Sequence, residues 1–320
     1  MSQFGFASTA DEVLDGMDLT GRIILVTGGY SGLGQETARA LAARGAHVIL
    51  SGRDATKLAA AADEIAELTG ARIDTLVCDL ASLASIRAAG TEARERFGHI
   101  DVLINNAGVM AAPLGRTEDG FETQFGTNHL GHFALTGELM SLLEKGSGQR
   151  IVNLSSRGHH IAPVDFDDPG FERRAYDPWI AYGNSKTANV LFAVGLEQRF
   201  GGRGIHAFAL HPGGIHTNLA RHMSEEDMAA LLDRIRKAAE ATGETPVSFK
   251  TIPQGAATTC WVATTPELEG RGGLYAEDCD VSEIDDTSAT GGVRSYALDR
   301  DNAERLWALS EKLTGTRFGG

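Results

Sequence analysis

Cysteine is scarce in this chain: Cys78, Cys260 and Cys279 are the only three in 320 residues. The count is odd and no two stand at a metal-knuckle spacing, which argues against a disulfide framework and a zinc module. Such usage fits a reducing compartment. Long apolar runs are missing as well, and no stretch reaches the roughly 18 residues needed to span a bilayer. The opening, Met1-Ser2-Gln3-Phe4-Gly5-Phe6, has neither the basic nor the apolar region of a secretory signal. A cytoplasmic location without a membrane span is therefore expected. Basic residues are in deficit, 29 Lys and Arg against 43 Asp and Glu, for a net charge of −14 and a pI near 5.1. They are scattered, so nucleic acid is not an expected partner. Internal repeats and low-complexity segments are absent.

What is present is glycine, 39 residues of it, and a regular exchange of apolar runs with amphipathic segments. Strands are predicted at 22–27, 47–51, 72–78, 102–105, 150–155 and 205–211, with a short seventh near 273–275. Helices are predicted at 34–44, 55–69, 83–97 and 121–143, with another carrying Tyr182. Runs that are apolar throughout, such as Ile23-Ile24-Leu25-Val26, imply burial on both faces. Regular alternation of this kind implies an α/β fold, a doubly wound parallel sheet of about seven strands with helices on both faces. Residues 1–18 read as a helical extension opened by a capping box at Thr9, and 19–320 as a single domain. Segments of about 158–180 and 218–253 interrupt the alternation and read as substrate loops. The second contains a charged helical stretch at 225–240.

Tyr182 and Lys186 stand four apart, so on a helix they share one face. An ammonium beside a phenol favours the phenolate and is expected to lower its pKa, fitting the tyrosine for proton exchange with an alcohol or ketone. The first strand ends in Thr27-Gly28-Gly29-Tyr30-Ser31-Gly32-Leu33-Gly34, directly before a helix. Glycines there let the backbone approach a pyrophosphate, which the helix N-terminus attracts. The second strand ends at Arg53, where a planar cation suits a 2′-phosphate, so NADP is favoured over NAD. Asp79 closes the third strand, where a carboxylate can accept from an adenine amino group. Asn105-Asn106-Ala107-Gly108 closes the fourth, with amides able to lock neighbouring strands. His129, His132, His159, His160, His211 and His216 invite a metal hypothesis, but no acidic partner joins them at metal spacing, and none is expected.

Taken together, these motifs resemble the short-chain dehydrogenase/reductase family. They run in the family's order from Leu19 to about Tyr275, through Asn128, Ile151-Val152-Asn153-Leu154-Ser155-Ser156, Tyr182-x-x-x-Lys186 and His211-Pro212-Gly213. Asn128-His129-Leu130-Gly131-His132-Phe133 and the long Ser156–Tyr182 spacing are similar to the branch around retinol dehydrogenases and the WW-domain oxidoreductase, here without WW modules. The resemblance implies a Rossmann-type fold and hydride transfer between a nicotinamide and a carbonyl or carbinol carbon. It implies Tyr182 as general acid and base, Lys186 as its partner, Ser156 as anchor of the substrate oxygen and Asn128 as holder of a relay water. Ser155 is set aside, because strand alternation points it the other way. Cofactor contacts are implied at Thr27, Gly28, Tyr30, Ser31, Gly32, Leu33, Arg53, Asp79, Leu80, Asn106, Ala107, Gly108, Tyr182, Lys186, Pro212, Gly213, Ile215 and Thr217. Ile161, Phe166, Trp179, Leu219, Met223, Met228 and Leu231 are expected to wall a pocket for a fairly hydrophobic small-molecule alcohol, ketone or aldehyde. A homodimer or homotetramer through the long helices is the family habit. Carbon–carbon double-bond reduction and a catalytically silent dinucleotide sensor stay open as alternatives.

Overall fold

The computed structural model describes residues 2–215, 219, 225–245 and 248–319. Its centre is an eight-stranded sheet. Taking strands in chain order, β1 is Ile23–Thr27, β2 His47–Gly52, β3 Ile73–Val77, β4 Val102–Asn105, β5 Arg150–Leu154 and β6 His206–His211. Two short strands follow, β7 at Gly214–Ile215 and β8 at Phe249–Lys250, then β9 at Leu274–Glu277 and β10 at Asp280–Val281. The sheet order is 3-2-1-4-5-6-9-10, while β7 and β8 pair separately. All neighbours in the large sheet are parallel except β10, which runs antiparallel to β9.

Helices lie on both faces, as apolar strands demand. Along β1, Ile24 and Val26 face one core with Leu50, Ile104 and Trp261, while Leu25 faces the other with Ile49, Leu103 and Phe133. The first face is covered by α1 (Ala10–Val13), α2 (Gly32–Ala42), α3 (Ala55–Thr69) and α9 (Ile252–Thr264). The second is covered by α4 (Leu83–Arg96), α6 (Gly131–Leu143) and α7 (Pro178–Phe200). Thr9 caps α1 with the expected reciprocal box to Glu12. The helix predicted over 121–143 begins instead as α5 (Thr123–Phe125), capped by Glu122, and widens to a π-turn at Gly126–Leu130 before α6. The charged stretch forms α8, Glu225–Thr242.

The eighth strand goes beyond the seven expected. A two-residue strand carries no periodic signal, and the turn before it lacks glycine. Asp278 and Cys279 both take positive φ there (50° and 59°), with Cys279 N donating to Thr258 Oγ1 at 3.2 Å. The outward faces of α6 and α7 are covered by the chain itself. Trp307 of α11 (Arg300–Thr314), which follows the short α10 (Ser295–Leu298), packs on Phe133, Phe192 and Phe318, their ring centroids 4.5–6.0 Å away. A side chain at Gly137 would collide with Thr316, 2.5 Å from its Cβ position. Among the described residues, no helix is long and apolar enough to cross a membrane.

Candidate active site

The C-terminal ends of β1, β4, β5 and β6 form one edge, and the predicted site residues gather there. The glycine turn is held against the end of β4. Asn106 Nδ2 donates to Thr27 O at 2.7 Å, and Asn106 N and Ala107 N both donate to Thr27 Oγ1 (2.9 and 3.0 Å). Gly28 takes φ +65°, and a Cβ on Gly34 would stand 2.4 Å from Gly28 O, so neither position admits a side chain. Ser31, the N-cap of α2, makes no side-chain cap, and the first turn carries no acidic residue. The N-terminal amides of α2 are thus presented for an anion.

Tyr30 lies over Gly52, its ring 2.5 Å from where a Cβ would stand. Arg53 is exposed and makes no ion pair among the described residues. Asp54 is committed elsewhere: it caps α3 by accepting from Lys57 N and pairs with Lys57 Nζ at 3.2 Å. Asp79 uses Oδ1 to accept from Ala81 N at 2.9 Å. These residues fit a dinucleotide: an uncapped helix start, a side-chain-free turn and an unpaired cation at the end of β2.

Asp177 caps α7 and Pro178 occupies its first turn, which sets the phase of Tyr182 and Lys186. Both are buried. Lys186 Nζ donates to Leu154 O at 2.9 Å and lies 5.7 Å from the Tyr182 ring centroid. The expected lowering of the phenol is not what this arrangement produces. Burial pushes Tyr182 up to about 12, with the Ser156 hydroxyl the group that offsets part of it. The same burial pulls Lys186 down to about 8. Desolvation penalises the phenolate and the ammonium alike, and it is the largest cause of both shifts.

Ser155 and Ser156 point apart, as alternation requires. Ser155 Oγ donates to Lys186 O at 2.7 Å and is consumed as a brace. Ser156 Oγ accepts from Gly158 N at 3.0 Å, which leaves its proton free to donate. A Cβ on Gly158 would strike the Tyr182 ring at 2.6 Å and approach Ser156 Oγ at 3.4 Å, so the glycine keeps phenol and hydroxyl together.

Asn128 sits fully buried in the π-turn, a distortion often found at functional sites. Its Oδ1 accepts from Val109 N at 2.8 Å, and its Nδ2 donates to Val109 O and Ser185 Oγ, both at 2.9 Å. Both amide hydrogens are spent, so a relay through this side chain has only the second lone pair of Oδ1. Gly108 leaves open the space between Asn128 Oδ1 and Lys186 Nζ, 3.1 and 3.7 Å from its Cβ position. Pro212 and Gly213 follow β6, and the Lys250 stem lies against Gly213, 2.7 Å from where a Cβ would stand. Leu33 and Ile215 meet over Gly255. Leu80 closes on Gly131, whose Cβ would be 2.4 Å from Leu80 O. Thr217, His216 and Met223 lie outside the described residues, as does the side chain of Leu231.

The expected walls need correcting. Ile161 and Phe166 line a cavity of about 600 Å³ with Val164, Arg174, Ile180, Asn184 and Leu191, and none of Ser156, Tyr182 or Lys186 borders it. It lies on the opposite side of α7, because residues 180, 184 and 191 are out of helical phase with 182 and 186. Trp179 does stand by the phenol, ring centroids 6.3 Å apart. Histidines supply what the sequence did not reveal. His159 Nδ1 lies 2.7 Å from Ser156 O, and its Nε2 accepts from Arg294 N at 3.2 Å, so it fixes the backbone of Ser156. Burial drives its pKa down to about 3.

The chain is similar to known proteins over most of its length. Residues 22–228 match the short chain dehydrogenase family. Retinol dehydrogenase 12 of Homo sapiens is 39% identical over 305 residues, covering 94% of this chain and 89% of that one. The crystal structure of an uncharacterized protein from Mycobacterium paratuberculosis is similar at TM-score 0.74 and 34% identity, covering 98% and 100% of the two chains. A gluconate 5-dehydrogenase from Burkholderia cenocepacia, solved in complex with NADP and tartrate, is similar at TM-score 0.63 and 26% identity, covering 82% and 96%.

Proposed function

The chain belongs to the short-chain dehydrogenase/reductase family as an NAD(P)-dependent oxidoreductase, and on that premise we propose that it uses NADP to interconvert a fairly hydrophobic alcohol and its ketone or aldehyde. One observation carries the reading: Ser156 and Tyr182 converge at the sheet edge, with the Ser156 hydroxyl within hydrogen-bond reach of the phenol.

When bound, the nicotinamide supplies or receives the hydride. Ser156 donates its hydroxyl proton to the substrate oxygen and stabilises charge that develops there. Tyr182 gives a proton to that oxygen in reduction and takes it back in oxidation. At neutral pH the phenol, pushed up to about 12, holds its proton, the state that reduction needs. Lys186, close to its own titration range, returns the proton from the side of Asn128 and Gly108. Trp179 gives the substrate an apolar wall. Arg53, without an acidic partner among the described residues, would hold the 2′-phosphate, while Asp54 is occupied as a helix cap.

The test is Tyr182→Phe, assayed by nicotinamide absorbance on a panel of apolar ketones, aldehydes and alcohols. Turnover should fall by roughly 100-fold or more while NADP affinity stays near wild type; undiminished turnover would sink the mechanism. Wild type that binds NADP and turns over nothing in the panel would point to a silent dinucleotide sensor. Arg53→Ala should weaken NADP far more than NAD, and tighter binding of NAD by the wild type would overturn the cofactor assignment.

A further inference from the structure

His132 is completely buried one turn beyond Asn128, and both its ring nitrogens are engaged. Nδ1 lies 2.9 Å from the backbone oxygen of Asn128, and Nε2 lies 2.9 Å from Thr27 Oγ1. The chemistry of the two partners decides the tautomer. A carbonyl oxygen only accepts, so Nδ1 carries the hydrogen. The Thr27 hydroxyl already accepts from Asn106 N and Ala107 N, which occupies both its lone pairs. It must therefore donate, and its near acceptor is Nε2, with Ile104 O more distant at 3.4 Å. The ring is neutral, Nδ1–H, and sits in a directional chain from the Asn106–Ala107 amides through Thr27 and His132 to the Asn128 carbonyl. A second ring proton would face an oxygen already holding two donors. Burial pulls the imidazole pKa down to about 4, and Lys186 acts in the same sense.

The chain joins two parts of the site from below the sheet edge, in parallel with the 106–109 segment, whose Asn106 and Ala107 bond Thr27 and whose Val109 bonds the Asn128 side chain. At one end is Thr27, adjacent to Gly28 in the glycine turn. At the other is Asn128, whose side chain holds the Val109 backbone and the Ser185 hydroxyl, and Ser185 in turn donates to Tyr182 O at 2.8 Å. We propose that His132 is a positioning residue that couples the dinucleotide-binding turn to the Asn128–Ser185–Tyr182 proton-transfer group, so that seating of the cofactor and placement of the phenol are set together. It touches no reacting atom. The residue acts through Asn128 and Thr27, and loosening it lets the π-turn drift against the glycine turn. This rests on the dinucleotide reading given above.

Two variants and one variant-free measurement test it. His132→Phe keeps the ring and removes both hydrogen bonds, whereas His132→Gln keeps one donor and one acceptor. With NADPH as the probe and the best carbonyl substrate of the panel, His132→Phe should lose kcat roughly ten- to hundredfold with KM for the carbonyl within about threefold. NADPH binding should weaken by about tenfold, and His132→Gln should recover much of both. A His132→Phe protein that melts earlier yet keeps kcat and NADPH affinity within about twofold overturns the coupling, as does a Gln variant no better than Phe. If the Phe variant does not fold, ¹⁵N imidazole shifts of the wild type decide. An Nδ1–H tautomer whose Nε2 signal moves on adding NADPH supports the coupling, and an Nε2–H tautomer or an unmoved signal overturns it. Wild type that binds no NADPH overturns the dinucleotide reading itself, whereas wild type that binds normally alongside an unaffected Phe variant overturns only the role of His132.

Discussion

The two faces of α7 are made from similar residues and do different things. Both are buried and both are polar within eight positions. On one face, Ser185, Lys186 and Asn189 reach atoms of the sheet edge and of Asn128. Lys186 Nζ and Asn189 Nδ2 share the Leu154 carbonyl at 2.9 and 3.0 Å. On the other, Asn184 and Thr187 hold the 158–180 segment. Thr187 Oγ1 donates to Ala162 O at 2.7 Å, and Asn184, with its amide turned to suit both neighbours, donates to Pro163 O and accepts from Arg174. The first face buries ionisable groups and shifts their pKa values. The second satisfies neutral groups beside an open cavity. The proposed chemistry is assigned to the face whose buried groups can carry charge, because only there does desolvation alter proton affinity.

Substitutions on each face can break this contrast. Lys186→Met should cost the most, on the order of 10²–10⁴-fold in kcat, read by steady-state turnover. Gly158→Ala should follow at roughly 100-fold, because its methyl must displace the Tyr182 ring, and a crystal structure should show the phenol moved from Ser156. The third effect is on stability against pH. Lys186 has a folded-state pKa depressed from 10.5 to about 8. Between those values the unfolded chain binds the extra proton, so this group makes stability rise with pH, and that contribution is lost as pH falls through 8. The slope should be on the order of 1.4 kcal/mol per pH unit in urea titrations and should vanish in Lys186→Met. The smallest effect on turnover belongs to the other face. Asn184→Ala should leave kcat within about threefold and cost ~1–2 kcal/mol in denaturant unfolding. A large kcat loss there would erase the distinction between the faces.

Much of the site was legible from the chain. The four-residue spacing of Tyr182 and Lys186 put them on one helix face, and strand alternation separated Ser155 from Ser156. Small residues after β1 and β4 implied the close approach that Gly28, Gly34 and Ala107 show. The pocket wall was misread at Ile161 and Phe166, because a loop has no period from which to infer which side of a helix it will cover. The direction of the Tyr182 shift was misread for another reason. A sequence shows that a cation is near a phenol, but not how much water both have lost. The hydrogen bonds of His132 were invisible, since its partner Thr27 is remote in the chain and its other partner is the backbone oxygen of Asn128.

The sequence by itself determined the order of strands and helices, the glycine turn and which residues are candidates for handling a proton. These depend on local periodicity and on chemistry that each residue carries anywhere. Tertiary structure alone decided which face of α7 meets the sheet edge, which lone pairs of Thr27 and Asn128 are already used, and which ionisable groups are dry. Those are properties of atoms brought together from distant positions, and hydrogen-bond saturation and desolvation exist only after they meet.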